Sequence, residues 1–186
     1  MSEPNGATPM RRQFYGSDDG AWRVSRQVAI VGSDVDRVSH IAQHPPAAWT
    51  WMLAGTTSNL RYTTREERSA LAAPFAGQEP APSDRAVLIP IRKSAAWWAL
   101  AQDERLAIYR RGRHTPIGLD HLPRVRRTLF HCRELGGPFD FLTWFEFDQG
   151  YDAGFQGLLD ALRASEEWAF VEREVEFWLE PEPRYA

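Results

Sequence analysis

One cysteine, Cys132, stands in a chain of 186 residues, so an internal disulfide is impossible and a multi-cysteine metal site is excluded. Lysine is almost as scarce: of 22 basic residues only Lys93 is lysine. A bias in base composition explains an excess of arginine but leaves that single lysine unexplained. No apolar run approaches the roughly 18 to 20 residues of a membrane helix. The longest, such as residues 86–91, are strand-sized, and no membrane partner is expected. The N-terminal stretch has no apolar core flanked by a cleavage site, so no secretory signal is read and a cytoplasmic location is the expectation. Positive charge is not in excess either. A formal net charge of −3 argues against a general nucleic-acid binder, whose basic face normally dominates the count. Glu-x-x-His, Cys-x-x-Cys, Gly-x-Ser-x-Gly, Walker and dinucleotide fingerprints are all missing, so zinc, serine-nucleophile and nucleotide chemistry have no motif behind them.

What the chain does hold is the balance of a soluble globular protein, 43% hydrophobic and 25% charged, which excludes a collagenous, coiled-coil or wholly disordered chain. A domain of this size buries roughly 70% of the surface its unfolded chain exposes, so a full core needs no staples. Eight tryptophans is a high count for this length. Large aromatics pack cores, and they also line flat, apolar ligand sites.

Residues 1–20 hold Gly, Pro, Ser, Asn and Asp with little periodicity and read as a mobile tail; residues 181–186 read as a short polar one. Residues 74–85 (PFAGQEPAPSDR), with three prolines, read as a loop that divides the rest into a shorter part, 21–85, and a longer one, 86–180. The longer part has a legible order. Residues 86–92 (AVLIPIR) are an apolar run of strand length. Ser94 is placed to cap a helix in which Trp97, Trp98, Leu100, Leu106 and Tyr109 recur at helical intervals as far as Arg113. Residues 124–131 then alternate, with Val125, Arg127, Leu129 and His131 on one face and Arg124, Arg126, Thr128 and Phe130 on the other. After a turn at residues 136–138, the aromatics and Thr143 of residues 139–147 (FDFLTWFEF) favour a strand. Phe155, Leu158, Leu159 and Leu162 mark one face of a helix that begins near Asp152. Last, Val171, Val175, Phe177 and Leu179 alternate with Glu172, Glu174, Glu176 and Trp178, a strand with one apolar and one acidic face. The order β-α-β-β-α-β is that of a ferredoxin-like unit. The shorter part reads as a reduced relative, with a strand at 22–31, one or two more within 48–62 and a helix at 65–73. Two such halves packed by their sheets make an α+β barrel.

Five histidines are candidates for ligation. His40 and His44 lie in the 39–46 loop region, His121 precedes Pro123, and His131 belongs to the 124–131 strand. His114 differs, because it closes a helix carrying Arg110, Arg111 and Arg113; an imidazole there also interacts with the helix C-terminal dipole. If a cofactor is present, it is held by one axial ligand in a large apolar cavity, and haem fits that description.

Here the sequence resembles a known family. Lys93-Ser94 followed by Trp97-Trp98, then His114-Thr115-Pro116-Ile117-Gly118, Leu122-Pro123, Arg127 and the run Pro138-Phe139-Asp140-Phe141-Leu142-Thr143-Trp144-Phe145-Glu146-Phe147 look like chlorite dismutase. Thr57-Ser58-Asn59-Leu60-Arg61-Tyr62, Glu166-Glu167-Trp168 and Val171-Glu172-Arg173-Glu174-Val175 match as well. The resemblance runs over roughly residues 22–179. It implies a dimeric α+β barrel fold with a ferredoxin-like C-terminal half, and a haem b that converts chlorite to chloride and dioxygen by way of an oxo-ferryl centre and transient hypochlorite. The shortened first half resembles the family's small-subunit branch, whose members are homodimers.

Residue by residue, the resemblance implies His114 as the proximal iron ligand, with Glu167 on its other ring nitrogen. Glu166 is the neighbouring alternative, since only one of the pair can face inward on a strand. It implies Arg127 as the distal arginine that attracts and holds chlorite; its place on one face with Val125 and Leu129 favours this over a plain surface charge. It implies Lys93 as the partner of a haem propionate, and Trp97 and Trp98 as the packing at the propionate edge, Trp98 more than Trp97. Two relatives in fold stay open as alternatives. A coproporphyrin-haem decarboxylase relies on a tyrosine in the loop before the proximal histidine, and residues 110–113 hold none, with Tyr109 just outside. The other is a haemless dimeric-barrel monooxygenase. A non-enzymatic haem-binding or sensing protein is the reading from a different class.

Overall fold

The computed structural model describes residues 10–57, 65–76 and 83–185. Its strands are β1 (Arg11–Ser17), β2 (Trp22–Val31), β3 (His40–Ala42), β4 (Trp51–Thr57), β5 (Arg85–Lys93), β6 (Val125–His131), β7 (Phe141–Phe147) and β8 (Val171–Pro181). They close into one barrel in the order β1-β3-β2-β8-β5-β7-β6-β4, antiparallel throughout. The first four strands are neighbours in the order 4-1-3-2, and so are the last four. The two ferredoxin-like sheets join edge to edge, β2 on β8 and β4 on β6. The closing contacts are short among the described residues: β4 meets β6 at Thr56–His131 and Thr57–Phe130, and β2 meets β3 at Trp22–Ile41 and Arg23–His40. The α+β barrel expected from the sequence is the architecture found.

Alternation along each strand separates two cores. One fills the barrel, where Phe14 stacks on Trp144 at 5.4 Å and Phe130, Leu142 and Phe177 are buried. The other lies outside it, between the second-half sheet and α5 (Asp152–Arg163): Val87, Phe145 and Phe147 meet Phe155, Leu158 and Leu159. Helical cover is therefore thick on the second half. On the first half it is thin: among the described residues only α1 (Arg65–Ala72) and a short turn follow those strands, and Trp49 and Met52 stay about half exposed.

Four expectations are corrected. Residues 1–9 lie outside the described residues, but the rest of the expected N-terminal tail carries β1, whose Phe14 is fully buried and whose partners are β3 and β4. The expected long helix up to Arg113 is two, α2 (Ala95–Ala99) and α3 (Gln102–Arg111), and a further helix, α4 (His114–Leu119), follows them. Leu100 and Ala101 are extended, with Glu104 reaching back to the Ala101 N–H and starting α3 afresh. His114 therefore opens a helix instead of closing one, after Arg113 takes a left-handed conformation at φ 52°. The acidic face of β8 is solvated at Glu172 alone of its three glutamates. Glu174 and Glu176 are fully buried beneath α5, where Arg163 bonds both carboxylates, and the Trp168 and Trp178 indoles donate to them. Charge buried in this way is stable because every carboxylate has its partners. His40 and His44, expected in a loop region, stand four apart. His40 lies instead on β3, bonded to Ser39 and Glu182, and no helix carries the two to one face.

Candidate functional site

The floor of a deep apolar cavity is a patch of three strands. In register, Arg127 faces Phe145, Leu129 faces Thr143 and His131 faces Phe141 across β6 and β7, while Ile89 and Ile91 of β5 pair with Thr143 and Phe141. These residues share the outer face of the barrel because β-strand side chains alternate with period two. The walls come from the helices: Trp97 of α2, Tyr109 of α3, His114 of α4, Leu159 and Leu162 of α5, and Glu167 and Trp168 from the turn Glu166–Phe170. The chamber is lined mostly by carbon and opens to solvent at its mouth.

Its polar groups form one line. The Lys93 ammonium donates to Glu167 Oε1 at 2.9 Å and to the Glu167 carbonyl oxygen at 3.2 Å. Glu167 Oε2 lies 3.1 Å from His114 Nδ1, and Arg127 Nη1 lies 3.1 Å from His114 Nε2. A carboxylate only accepts and a guanidinium only donates. The ring proton of His114 is therefore on Nδ1, and Nε2 keeps its lone pair, directed at the cavity. Tyr109 stacks on the same imidazole at 4.5 Å with 23° between the planes.

Lys93, His114 and Glu167 are 4%, 7% and 8% exposed, so their charges are decided by one another more than by water. Burial pushes the His114 pKa below 6.5, with the Arg127 charge adding to it and the Glu167 hydrogen bond opposing. Burial likewise lowers Lys93 against the pull of Glu167. Burial alone would raise Glu167, but the His114 hydrogen bond and the Lys93 charge outweigh it and hold the carboxyl at about 2. The stability that Glu167 contributes is thus complete above its ordinary 4.5 and is lost as pH falls toward 2. His114 acts in the same direction from pH 6.5 downward, because the unfolded chain takes up the proton that the folded chain refuses. Glu167→Gln is expected to cost about 3 kcal/mol at pH 7, as loss of one partner from a buried ion pair does. The gap to the unsubstituted protein should narrow below pH 4.5. Denaturant unfolding of both haem-free proteins between pH 7 and pH 3 checks this, and a gap independent of pH contradicts it.

Five of the six residues named from the sequence meet here: Lys93, Trp97, His114, Arg127 and Glu167 line one cavity. Glu167 faces His114, while Glu166 points away in a bidentate pair with the exposed Arg111. Lys93 is engaged by Glu167 rather than standing at an open cavity edge, because its ammonium is buried beside that carboxylate. Trp98 does not line the chamber. Its indole N–H donates to Asp140 Oδ2 and its ring is stacked by Phe141, behind the cavity wall; Trp97 is the tryptophan that faces inward. Residues 58–62, with the Asn59 to Tyr62 motif, lie outside the described residues. The sequence did not single out Tyr109, Thr143 or Trp168. Thr143 was legible, since it shares the alternating face of Phe141 and Phe145.

Comparison with known proteins bears on this arrangement. The family model described as chlorite dismutase matches residues 22–180. A chlorite dismutase from Ideonella dechloratans is 34% identical over 102 residues, which are 52% of this chain and 34% of that protein; the chain spans about a third of that relative's length. The crystal structure of a dimeric chlorite dismutase from Nitrobacter winogradskyi superposes with a TM-score of 0.85 at 44% identity, over 92% of this chain and 99% of that one. A chlorite dismutase from Candidatus Nitrospira defluvii, solved in complex with imidazole, is similar with a TM-score of 0.56 and 28% identity over 76% of this chain and 57% of that one.

Proposed function

This chain belongs to the chlorite dismutase family, and from that premise we propose that it holds haem b on His114 and converts chlorite to chloride and dioxygen. The reaction is balanced as ClO₂⁻ → Cl⁻ + O₂, without a second substrate or an external reductant. The observation that carries the reading is the donor set: a buried imidazole with Nδ1 tied to a carboxylate, and Nε2 bearing the lone pair, on which Arg127 donates, at the wall of an apolar chamber. That is the donor chemistry of an axial haem ligand, and the aromatic and aliphatic walls suit the faces of a porphyrin.

Glu167 would fix the ring orientation of His114 and raise its donor strength, and Lys93 would keep Glu167 ionised. Trp97 and Trp168 would pack the apolar rim. When bound, the haem iron supplies the O–Cl cleavage and the O–O bond formation. The chain's part is anion handling. Chlorite carries one negative charge and the Arg127 guanidinium a positive one, so Arg127 can draw the anion to the cavity, orient it and retain hypochlorite. Ile89, Leu129 and Phe145 keep the surroundings dry, which strengthens that attraction. Ferric haem titrated into the haem-free protein is expected to saturate at one equivalent per chain with a Soret band, after which added chlorite yields chloride mole for mole. A chain that gives no Soret band contradicts the proposal at its first step.

One observation bears on the decarboxylase alternative, since Tyr109 does reach the cavity. Its ring lies face to face with His114. Loss of carboxyl groups from coproporphyrin haem, followed by mass spectrometry, separates that activity from dioxygen release.

The proposal includes a homodimer, supported by the dimeric relative and by the thin cover of the first-half sheet with Trp49 and Met52 exposed. Light scattering at micromolar concentration is expected to give twice the 21.3 kDa chain mass. One copy or five would contradict it.

A further inference from the structure

The Lys93 ammonium has three N–H groups and, among the described residues, two oxygen acceptors, both on Glu167: Oε1 at 2.9 Å and the carbonyl oxygen at 3.2 Å. Its remaining surroundings are aromatic. The ammonium lies 4.8 Å from the centre of the Trp97 ring and 5.4 Å from that of Trp168. Lys93 is buried away from water, and a desolvated cation is drawn to a π face more strongly than a solvated one. Trp168 is fixed in turn at its polar edge. Its indole N–H donates to Glu174 Oε2 at 3.0 Å, and Glu174 Oε1 accepts from Arg163, the last residue of α5. Glu174 is fully buried and faces Ile91 across the sheet, two residues before Lys93. The backbone closes the same arrangement. Lys93 pairs with Val171 across β5 and β8, and the Ser94 N–H donates to the Phe170 carbonyl oxygen, so the turn carrying Glu167 and Trp168 is held against the lysine.

We infer that Trp168, clamped by Glu174, is a positioning residue: it confines the Lys93 ammonium to Glu167 and so keeps that carboxylate on His114 Nδ1. An ion pair alone leaves the flexible four-carbon stem of a lysine free to swing its point charge about the carboxylate. Glu167 cannot tolerate that freedom, because it divides its oxygens between two partners, Oε1 to Lys93 and Oε2 to His114. A lysine that shifts turns the carboxylate with it and takes Oε2 off the imidazole. Two ring faces restrict the ammonium to one place, and Glu174 restricts the second ring to one plane. The carboxylate of Glu174 also adds negative charge that favours the lysine as a cation. The consequence for an axial ligand rests on the haem reading proposed above; the confinement of Lys93 belongs to the chain alone.

Lys93 is the only lysine of the chain, so protein labelled in lysine gives a single side-chain signal by magnetic resonance. Protons over a ring face are moved upfield, and those of a confined, buried ammonium exchange slowly with water. In Trp168→Leu the Lys93 signal is expected to move downfield, toward that of a free lysine. Its ammonium protons and the His114 Nδ1 proton should both exchange about tenfold faster, the worth of one desolvated cation–π contact. Trp168→Phe keeps a ring face and should stay within about threefold of the unsubstituted protein. Glu174→Gln leaves one carbonyl oxygen to serve both Arg163 and the indole, so exchange should rise in the same direction by a smaller factor. A Lys93 signal and exchange rates unmoved in Trp168→Leu overturn the inference, as does a Trp168→Phe variant that behaves like Trp168→Leu. If Trp168→Leu does not fold, Glu174→Gln decides it, and unchanged exchange there overturns it. The spectra are taken without haem and with it, in the diamagnetic ferrous carbonyl form. Failure to form a Soret band removes the haem reading and leaves the Lys93 result to be judged on the chain itself. A normal Soret band with Lys93 unmoved by the substitutions removes this inference alone.

Discussion

His114→Ala is expected to lose tight haem binding, and with it any chlorite-dependent oxygen release. The substitution removes the only histidine, among the described residues, whose Nε2 faces the chamber with its other nitrogen fixed by a carboxylate. What remains is an apolar pocket able to hold a porphyrin loosely through its faces. The fold itself should survive, since Lys93 still pairs with Glu167 and neither apolar core includes the imidazole. The expected spectrum is a weak, broadened Soret band that is lost on gel filtration. Imidazole added to the medium should partly restore it by occupying the space the side chain vacates. A sharp, unshifted Soret band and undiminished activity in His114→Ala would show that another residue binds the iron.

The second large effect concerns Arg127, and it separates two jobs. If the guanidinium were indispensable to O–Cl cleavage, Arg127→Ala would be inactive from the first turnover. If it mainly retains hypochlorite, the variant begins with substantial activity and fails early, as escaped hypochlorite bleaches the haem. The second outcome is expected. The arginine offers one charge-assisted hydrogen bond to the anion, worth about 1.5 to 3 kcal/mol, which is roughly a tenfold to hundredfold effect on rate and not abolition. Methionine, which scavenges hypochlorite, should then extend the variant's total dioxygen yield more than that of the unsubstituted protein. Equal protection of both, or no initial rate at all, would count against retention as the arginine's main role.

The faces of the second half were legible in the sequence because alternation is a local signal. Arg127, Leu129 and His131 on β6 and Phe141, Thr143 and Phe145 on β7 read directly as one surface, and that surface is the cavity floor. Beyond local patterning the sequence says less. Strand β1 is held by partners on β3 and β4 that no window around Phe14 reveals, so a stretch with two arginines and a glycine passes for a tail. Lys93 could be noticed as solitary, but the carboxylate that pairs with it is 74 residues away. Trp97 and Trp98 are adjacent on a helix of five residues, and helical spacing cannot say which of two neighbours points inward when the helix is that short. Glu166 and Glu167 present the same ambiguity on a tight turn, settled only when Arg111 claims the first. Tyr109 meets His114 because the left-handed Arg113 turns α4 back on α3, a kink that a continuous helical pattern hides.

Dioxygen release measured with an oxygen electrode tests the central claim most directly. Haem-loaded protein given chlorite is expected to release one dioxygen and one chloride for each chlorite consumed, with the Soret band intact during the linear phase and no release from His114→Ala. Chlorite left unconsumed by protein with a full Soret band, or consumed without dioxygen, would contradict the account.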